Sequence, residues 1–257
     1  MGDVDAVTAL AMTRAGHTRE PGTLPVSEVF GPVWQGEGPH AGRVCWFVRL
    51  GLCNLHCTWC DTPYTWDRDR FNVAAECPPM HGTALTELLL DAQPPIVVLS
   101  GGEPLIHQRN PALLDSMASA TAETGTRWHV ETNGTLTPTT ALVDRVEHFT
   151  VSPKIHPQGD PYTRRIRPDA LAAFTNLADE GRAAFKIVCA TPAEVDTAAA
   201  FYEQHDIPDD ARWIMPEGTT PDAVLNTARA IAPTALEHAL NLTLRQHSLM
   251  YGTERQR

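Results

Sequence analysis

The chain lacks several things, and each absence narrows what it can be. No apolar run approaches the length of a membrane span. Residues 1–23 lack the basic start and apolar stretch of a secretory leader and read as a mobile tail, so a cytoplasmic, reducing compartment is expected. No long basic run occurs. With 20 Lys plus Arg against 31 Asp plus Glu the net charge is −11, which argues against general binding to nucleic acid or to a membrane surface. A local basic pocket for an acidic small molecule stays compatible with that balance. Internal repeats and low-complexity tracts are missing too. What is left, with 42% hydrophobic and 20% charged residues, is the composition of one globular domain, expected over residues 24–257.

Six cysteines are present. Cys45 and Cys189 sit in apolar, strand-like runs and read as core. Cys77, beside Pro78 and Pro79, has no partner at ligand spacing and is given no role. Cys53, Cys57 and Cys60 form a Cys-x3-Cys-x2-Cys loop, three thiolates where a closed metal site wants four. A cubic iron–sulfur cluster is usually held by four Cys thiolates. Three ligands on one loop leave one iron open to a small molecule. A zinc knuckle completed by His56 or Cys77 is the competing reading of the same spacing.

From Leu24 onward, strand-like and helix-like stretches alternate, which predicts an α/β fold with a parallel sheet. Val44–Leu50, Ile96–Ser100, Arg127–Glu131, His148–Val151, Ala184–Val188 and Arg212–Met215 read as strands, and Asn241–Gln246 as the last one. Asn110-Pro111 and the Thr191–Glu194 capping box open helices. Residues 61–82, rich in Pro, Asp and Arg, read as an insertion over the cysteine loop. The unusual tripeptides fall at strand ends, where reactive groups gather in β/α barrels.

Ser100-Gly101-Gly102-Glu103-Pro104 follows a strand directly. Together with the cysteine loop it resembles the Gly-Gly-Glu-Pro element of radical S-adenosylmethionine (SAM) enzymes. That resemblance implies a partial, open (β/α) barrel, a [4Fe-4S] cluster on Cys53, Cys57 and Cys60, and SAM chelating the open iron. It also implies a 5′-deoxyadenosyl radical that abstracts hydrogen from substrate. For Glu103 the alternative is a loop residue holding its own turn.

A narrower resemblance rests on Leu50–Thr62, with Cys60-Asp61-Thr62 at its end, and on Trp34-Gln35-Gly36-Glu37-Gly38 before it. The chain resembles the 7-carboxy-7-deazaguanine synthase family, which rearranges 6-carboxy-5,6,7,8-tetrahydropterin and releases ammonia in 7-deazapurine and queuosine biosynthesis. By that resemblance Trp59, Cys60, Asp61, Gly102, Ser152, Pro153 and Lys154 meet SAM, with the loop Met215-Pro216-Glu217-Gly218 on its adenine side. Trp34, Gln35, Gly36, Glu37, Arg49, Ser100 and His247 meet the substrate, and Thr62 helps hold Mg²⁺. Each assignment has a bland counterpart: a solvated loop carboxylate for Glu37, a structural salt bridge for Arg49, a turn residue for Thr62. The other histidines read as surface or satisfied core. The resemblance further implies a homodimer and an external, flavodoxin-like electron donor, with no nucleic acid or membrane partner. A glycyl-radical-activating enzyme, which shares the cysteine spacing but acts on a partner protein, is the alternative function.

Overall fold

The computed structural model describes residues 22–156 and 159–256. Their strands are β1 (Thr23–Trp34), β2 (Val44–Leu50), β3 (Pro79–His81), β4 (Ile96–Gly101), β5 (Arg127–Thr132), β6 (His148–Val151), β7 (Ala183–Cys189), β8 (Arg212–Pro216) and β9 (Asn241–Leu242). The helices are α1 (Val73–Glu76), α2 (Gly82–Ala92), α3 (Pro111–Thr124), α4 (Thr140–Val143), α5 (Tyr162–Arg165), α6 (Pro168–Asp179), α7 (Pro192–Gln204), α8 (Pro221–Glu237) and α9 (Gln246–Tyr251). One sheet has the order β3-β1-β2-β4-β5-β6-β7-β8-β9. β1 is antiparallel to β2 and β3, and every neighbouring pair from β2 to β9 is parallel.

From β4 to β9 the spatial order repeats the chain order. A doubly wound sheet reverses at a switch point. Here every crossover runs the same way, and right-handed crossovers then place the helices on one face. The sheet does not close, because β3 and β9 stay at its two edges. This is the expected partial, open barrel.

Side-chain alternation sorts the two faces. Val48, Leu50, Val97, Leu99, Val130, Phe149, Phe185 and Ile187 join the main core with helix residues such as Leu85, Leu113, Met117 and Phe174. The intervening positions Arg49, Ser100, Glu131, Thr150 and Lys186 turn inward and line a cavity near the carboxyl ends of the strands. Further back on that inner face Cys45, Ile96 and Val98 form a small apolar cluster.

His129 and His148 are register partners on the inner face. The His40 ring lies 4.4 and 4.5 Å from theirs, centroid to centroid. The Nε2 atoms of all three are buried without a hydrogen-bond partner, which corrects the reading of satisfied core histidines. Burial pushes His129 and His148 each down to about 3.

Two boundaries differ from expectation. The expected tail, residues 1–23, falls outside the described residues except for its last two, and Thr23 already pairs with His81. The last strand does not run to Gln246. β9 ends at Leu242, and Gln246 opens α9. The reason is local: the Thr243 hydroxyl accepts from the Gly38 amide (2.9 Å) and the Gln246 amide donates to the Gly36 carbonyl (2.9 Å), drawing the chain off the sheet onto the turn after β1. Residues 61–82 contain a short turn at Pro63–Thr65, then α1 and β3. No helix among the described residues is long and apolar enough to cross a membrane.

Candidate functional site

The inner face opens into a cavity of about 600 Å³, within the range of small-molecule sites. Every site residue expected from the sequence lines it except Pro153 and Pro216.

The cysteine loop forms one wall. Leu52, just before the first cysteine, holds a φ of +75° that leucine rarely adopts, and its amide donates to the Thr65 carbonyl at 2.8 Å. Asn54 is buried, bonded to Thr135 Oγ1 (2.8 Å) and to Asn133 Nδ2 (3.0 Å). The His56 amide donates to Asp160. Donors already reach the sulfurs: the Leu55 amide lies 3.4 Å from Cys53 Sγ and Trp66 Nε1 3.3 Å from Cys60 Sγ. Such bonds suit thiolates that carry an iron–sulfur cluster and tune its potential. Burial pushes the Cys53 thiol well up, so a bound metal must displace its proton. Among the described residues no three His, Cys, Asp or Glu side chains surround a single metal position. One zinc ion would need that arrangement, whereas a cubane spreads its thiolates over separate irons.

Gly101 and Gly102 weld this loop to β4. Gly101 has φ +137°, and a Cβ there would stand 2.0 Å from the Leu50 carbonyl oxygen. A Cβ on Gly102 would stand 2.0 Å from the Leu52 oxygen. The Gly102 and Glu103 amides donate to those same carbonyls at 3.0 and 2.8 Å. Glu103 itself is fully buried and accepts from the Leu105 and Asn133 amides and the Thr132 hydroxyl. It holds its own turn, as its bland reading had it.

The opposite wall is ionic. Glu37 is no solvated loop carboxylate: it pairs with Lys186 Nζ and with Arg245 Nε (3.1 Å), and His247 Nε2 is 3.8 Å away. Burial alone would push its carboxyl up, but Lys186, Arg245 and His247 outweigh it and hold the group well below the usual carboxylate range. Gln35 is buried and donates to Glu131 Oε1 at 3.1 Å. Gly36 leaves room for the histidine, since a Cβ would meet His247 Nδ1 at 2.3 Å.

Arg49 carries the salt bridge of its bland reading, Nε to Glu28 Oε2 at 2.8 Å. Its terminal nitrogens make no hydrogen bond among the described residues, and the side chain still lines the cavity. Glu28 also accepts from Tyr64 (3.4 Å) and from Arg255, whose guanidinium lies 4.0 Å from the Tyr64 ring centroid. Lys154 donates to Ser152 Oγ (2.8 Å) and stands 5.6 Å over the Trp59 ring. Ser100 Oγ is buried in the cavity wall with no partner.

Sequence reading missed Glu28, Trp66, Glu131, Lys186, Arg245 and Arg255. Two left a signal. Lys186 interrupts the apolar run Ala183–Cys189, and Glu28 takes the third place in the buried alternation Leu24, Val26, Glu28.

Comparison with known proteins bears on this geometry. Residues 34–152 match the model of a 4Fe-4S single cluster domain. The 7-carboxy-7-deazaguanine synthase of Hyperthermus butylicus is 34% identical over 245 residues, covering 88% of this chain and 92% of the relative. This chain belongs to the 7-carboxy-7-deazaguanine synthase family. The Pyrobaculum aerophilum synthase is 32% identical over 231 residues, covering 90% of this chain and 96% of its own length. That of Halobacterium salinarum is 31% identical over 252 residues, covering 89% and 91%. The crystal structure of QueE from Escherichia coli shares the fold, with a TM-score of 0.61, 22% identity, and coverage of 92% of this chain and 98% of that one. The chain is therefore a radical SAM enzyme of the 7-carboxy-7-deazaguanine synthase family, with an iron–sulfur cluster and SAM as cofactors. The zinc and glycyl-radical readings give way to it.

Proposed function

We propose that the chain converts 6-carboxy-5,6,7,8-tetrahydropterin to 7-carboxy-7-deazaguanine with release of ammonia. The observation that carries this reading is one cavity bounded on one side by a three-cysteine loop and on the other by polar groups suited to a small, flat, carboxylated ring. Cys53, Cys57 and Cys60 would hold the cluster, and Lys154, Ser152 and Trp59 would flank SAM with Gly102 and Met215–Gly218. The chemistry these cofactors would supply when bound is reductive cleavage of SAM to a 5′-deoxyadenosyl radical, which takes a hydrogen atom from the substrate and, because loss of ammonia alone is redox-neutral, gives it back at the end of the cycle. An external flavodoxin-like donor would provide the electron.

The chain's own residues select and orient. The unpartnered Ser100 hydroxyl is the group a ring substrate would satisfy, since a buried polar atom left alone costs about 1–3 kcal/mol. The terminal nitrogens of Arg49 match a carboxylate as a planar fork, while Glu28 fixes the guanidinium through Nε. Glu37, ionised and clamped, presents the Trp34–Gly36 turn and positions His247. Thr62, beside Cys60, would offer its hydroxyl to Mg²⁺ together with substrate oxygens.

The test is anaerobic turnover of the carboxypterin by reconstituted enzyme with SAM, Mg²⁺ and reductant, measuring deazapurine and ammonia together. Ser100→Ala should raise KM about 5-fold at unchanged iron content. An iron-replete wild type that cleaves SAM but leaves this pterin intact rules out the substrate.

A further inference from the structure

Three loops carry the components of the reaction in the reading above, and one side chain touches all three. Arg245 leaves the sheet just past β9, and its side chain is 12% exposed. Its Nε donates to Glu37 Oε1 at 3.1 Å, on the substrate turn. Its Nη1 donates to the Gly218 carbonyl at 2.9 Å, on the loop after β8. Its Nη2 donates to Asp61, the residue after the last cluster cysteine. Three donors of one rigid, planar group thus reach three segments far apart in sequence. An ammonium is a point charge on a flexible stem and cannot span that triangle. The anchoring points are themselves fixed. Glu37 is clamped by Lys186 as well. Gly218 has φ +150°, and a Cβ there would meet the Val224 amide nitrogen at 2.7 Å.

We propose that Arg245 is a positioning residue that holds the substrate turn, the cluster loop and the loop after β8 in one register, so that each radical formed reacts with substrate and is not lost as free 5′-deoxyadenosine. This rests on the functional reading above. Arg245 donates three hydrogen bonds to protein groups and acts through them. Near-attack geometry is steep: a misplacement of about 1 Å costs about 10²-fold in rate. Loosening the register should therefore separate radical formation from product formation before it harms either cofactor.

The experiment compares wild type with Arg245→Lys, reading product formed per 5′-deoxyadenosine alongside iron content and SAM cleavage without substrate. The expected result is a fall of about 10-fold in product per 5′-deoxyadenosine, with iron content and substrate-free cleavage within about 2-fold of wild type. Arg245→Gln, which is shorter and uncharged, keeps at most one of the three arms and should lower the same ratio by a similar factor. It carries the test if the lysine variant does not fold. An unchanged ratio in the folded variants overturns the proposal. Parallel loss of iron and of all cleavage also overturns it, by marking Arg245 as a simple brace. If wild type itself fails on the carboxypterin, the functional reading falls and this proposal with it. If wild type turns over and the variants stay coupled, only this proposal falls.

Discussion

Replacing Lys186 by methionine should unfold the ionic wall of the cavity from within. The Lys186 side chain is 7% exposed and its ammonium is paired with Glu37, whose side chain is 13% exposed. Removing one member of a buried pair costs about 3–5 kcal/mol, because the other charge is left without compensation. Glu37 would keep Arg245 at 3.1 Å and the more distant His247 at 3.8 Å, which places the loss at the lower end, about 3 kcal/mol. For a chain of this size that is a fall of about 6–12 °C in Tm. Adding Glu37→Gln should recover about 2 kcal/mol, since an amide beside a thioether carries no stranded charge. The sign of the pH dependence is also fixed. The folded carboxyl of Glu37 is held below its ordinary 4.5, so the stability it brings is full above that pH and is lost as pH falls toward the folded value. Lys186→Met should flatten that loss. The assay is anaerobic urea unfolding of wild type, single and double variants at matched iron content, at pH 7 and at pH 4. A single variant as stable as wild type at both pH values, or a double variant worse than the single, would refute the reasoning.

Gly102→Ala should abolish cluster assembly, because the new methyl would stand 2.0 Å from the Leu52 oxygen beside Cys53; iron analysis showing a full cluster in that variant would count against the welded-loop account. Trp66→Phe removes the N–H donor at 3.3 Å from Cys60 Sγ and should make the cluster's reduction potential more negative, as read by a redox titration; an unchanged potential would show the bond to be immaterial. Burial keeps His129 and His148 neutral down to about pH 3, against an ordinary value of 6.5. Stability should therefore be full above pH 6.5 and decline as pH falls, by about 3 kcal/mol at pH 5.5. His148→Phe should shrink that decline in a pH series of denaturation midpoints.

Much of this site was legible because its chemistry sits in contiguous tripeptides. The cysteine spacing, the Gly-Gly turn after β4 and the Gln35–Gly38 turn after β1 are local patterns at strand ends, and the β/α alternation implied that strand ends share one cavity. What stayed hidden depends on pairing across the fold. Glu37 reads as a loop carboxylate until Lys186 and Arg245, 149 and 208 residues away, are brought to it. The glycines of the Gly-Gly turn suggest a ligand's approach, yet the Leu50 and Leu52 backbone already occupies the space they leave. The last strand was overextended because Asn241–Gln246 has strand-like composition, while the tug of Gly36 and Gly38 on its end is a tertiary effect.

Glu28 on the first strand meets Arg255 across 227 residues of chain, and the turn after β1 meets Gln246 through the Gly36 carbonyl. A nascent chain emerging from the ribosome therefore has its cysteine loop long before it has a finished chamber. Iron loaded at that stage would face solvent and oxygen with no far wall in place, so late metallation is the safer order of assembly.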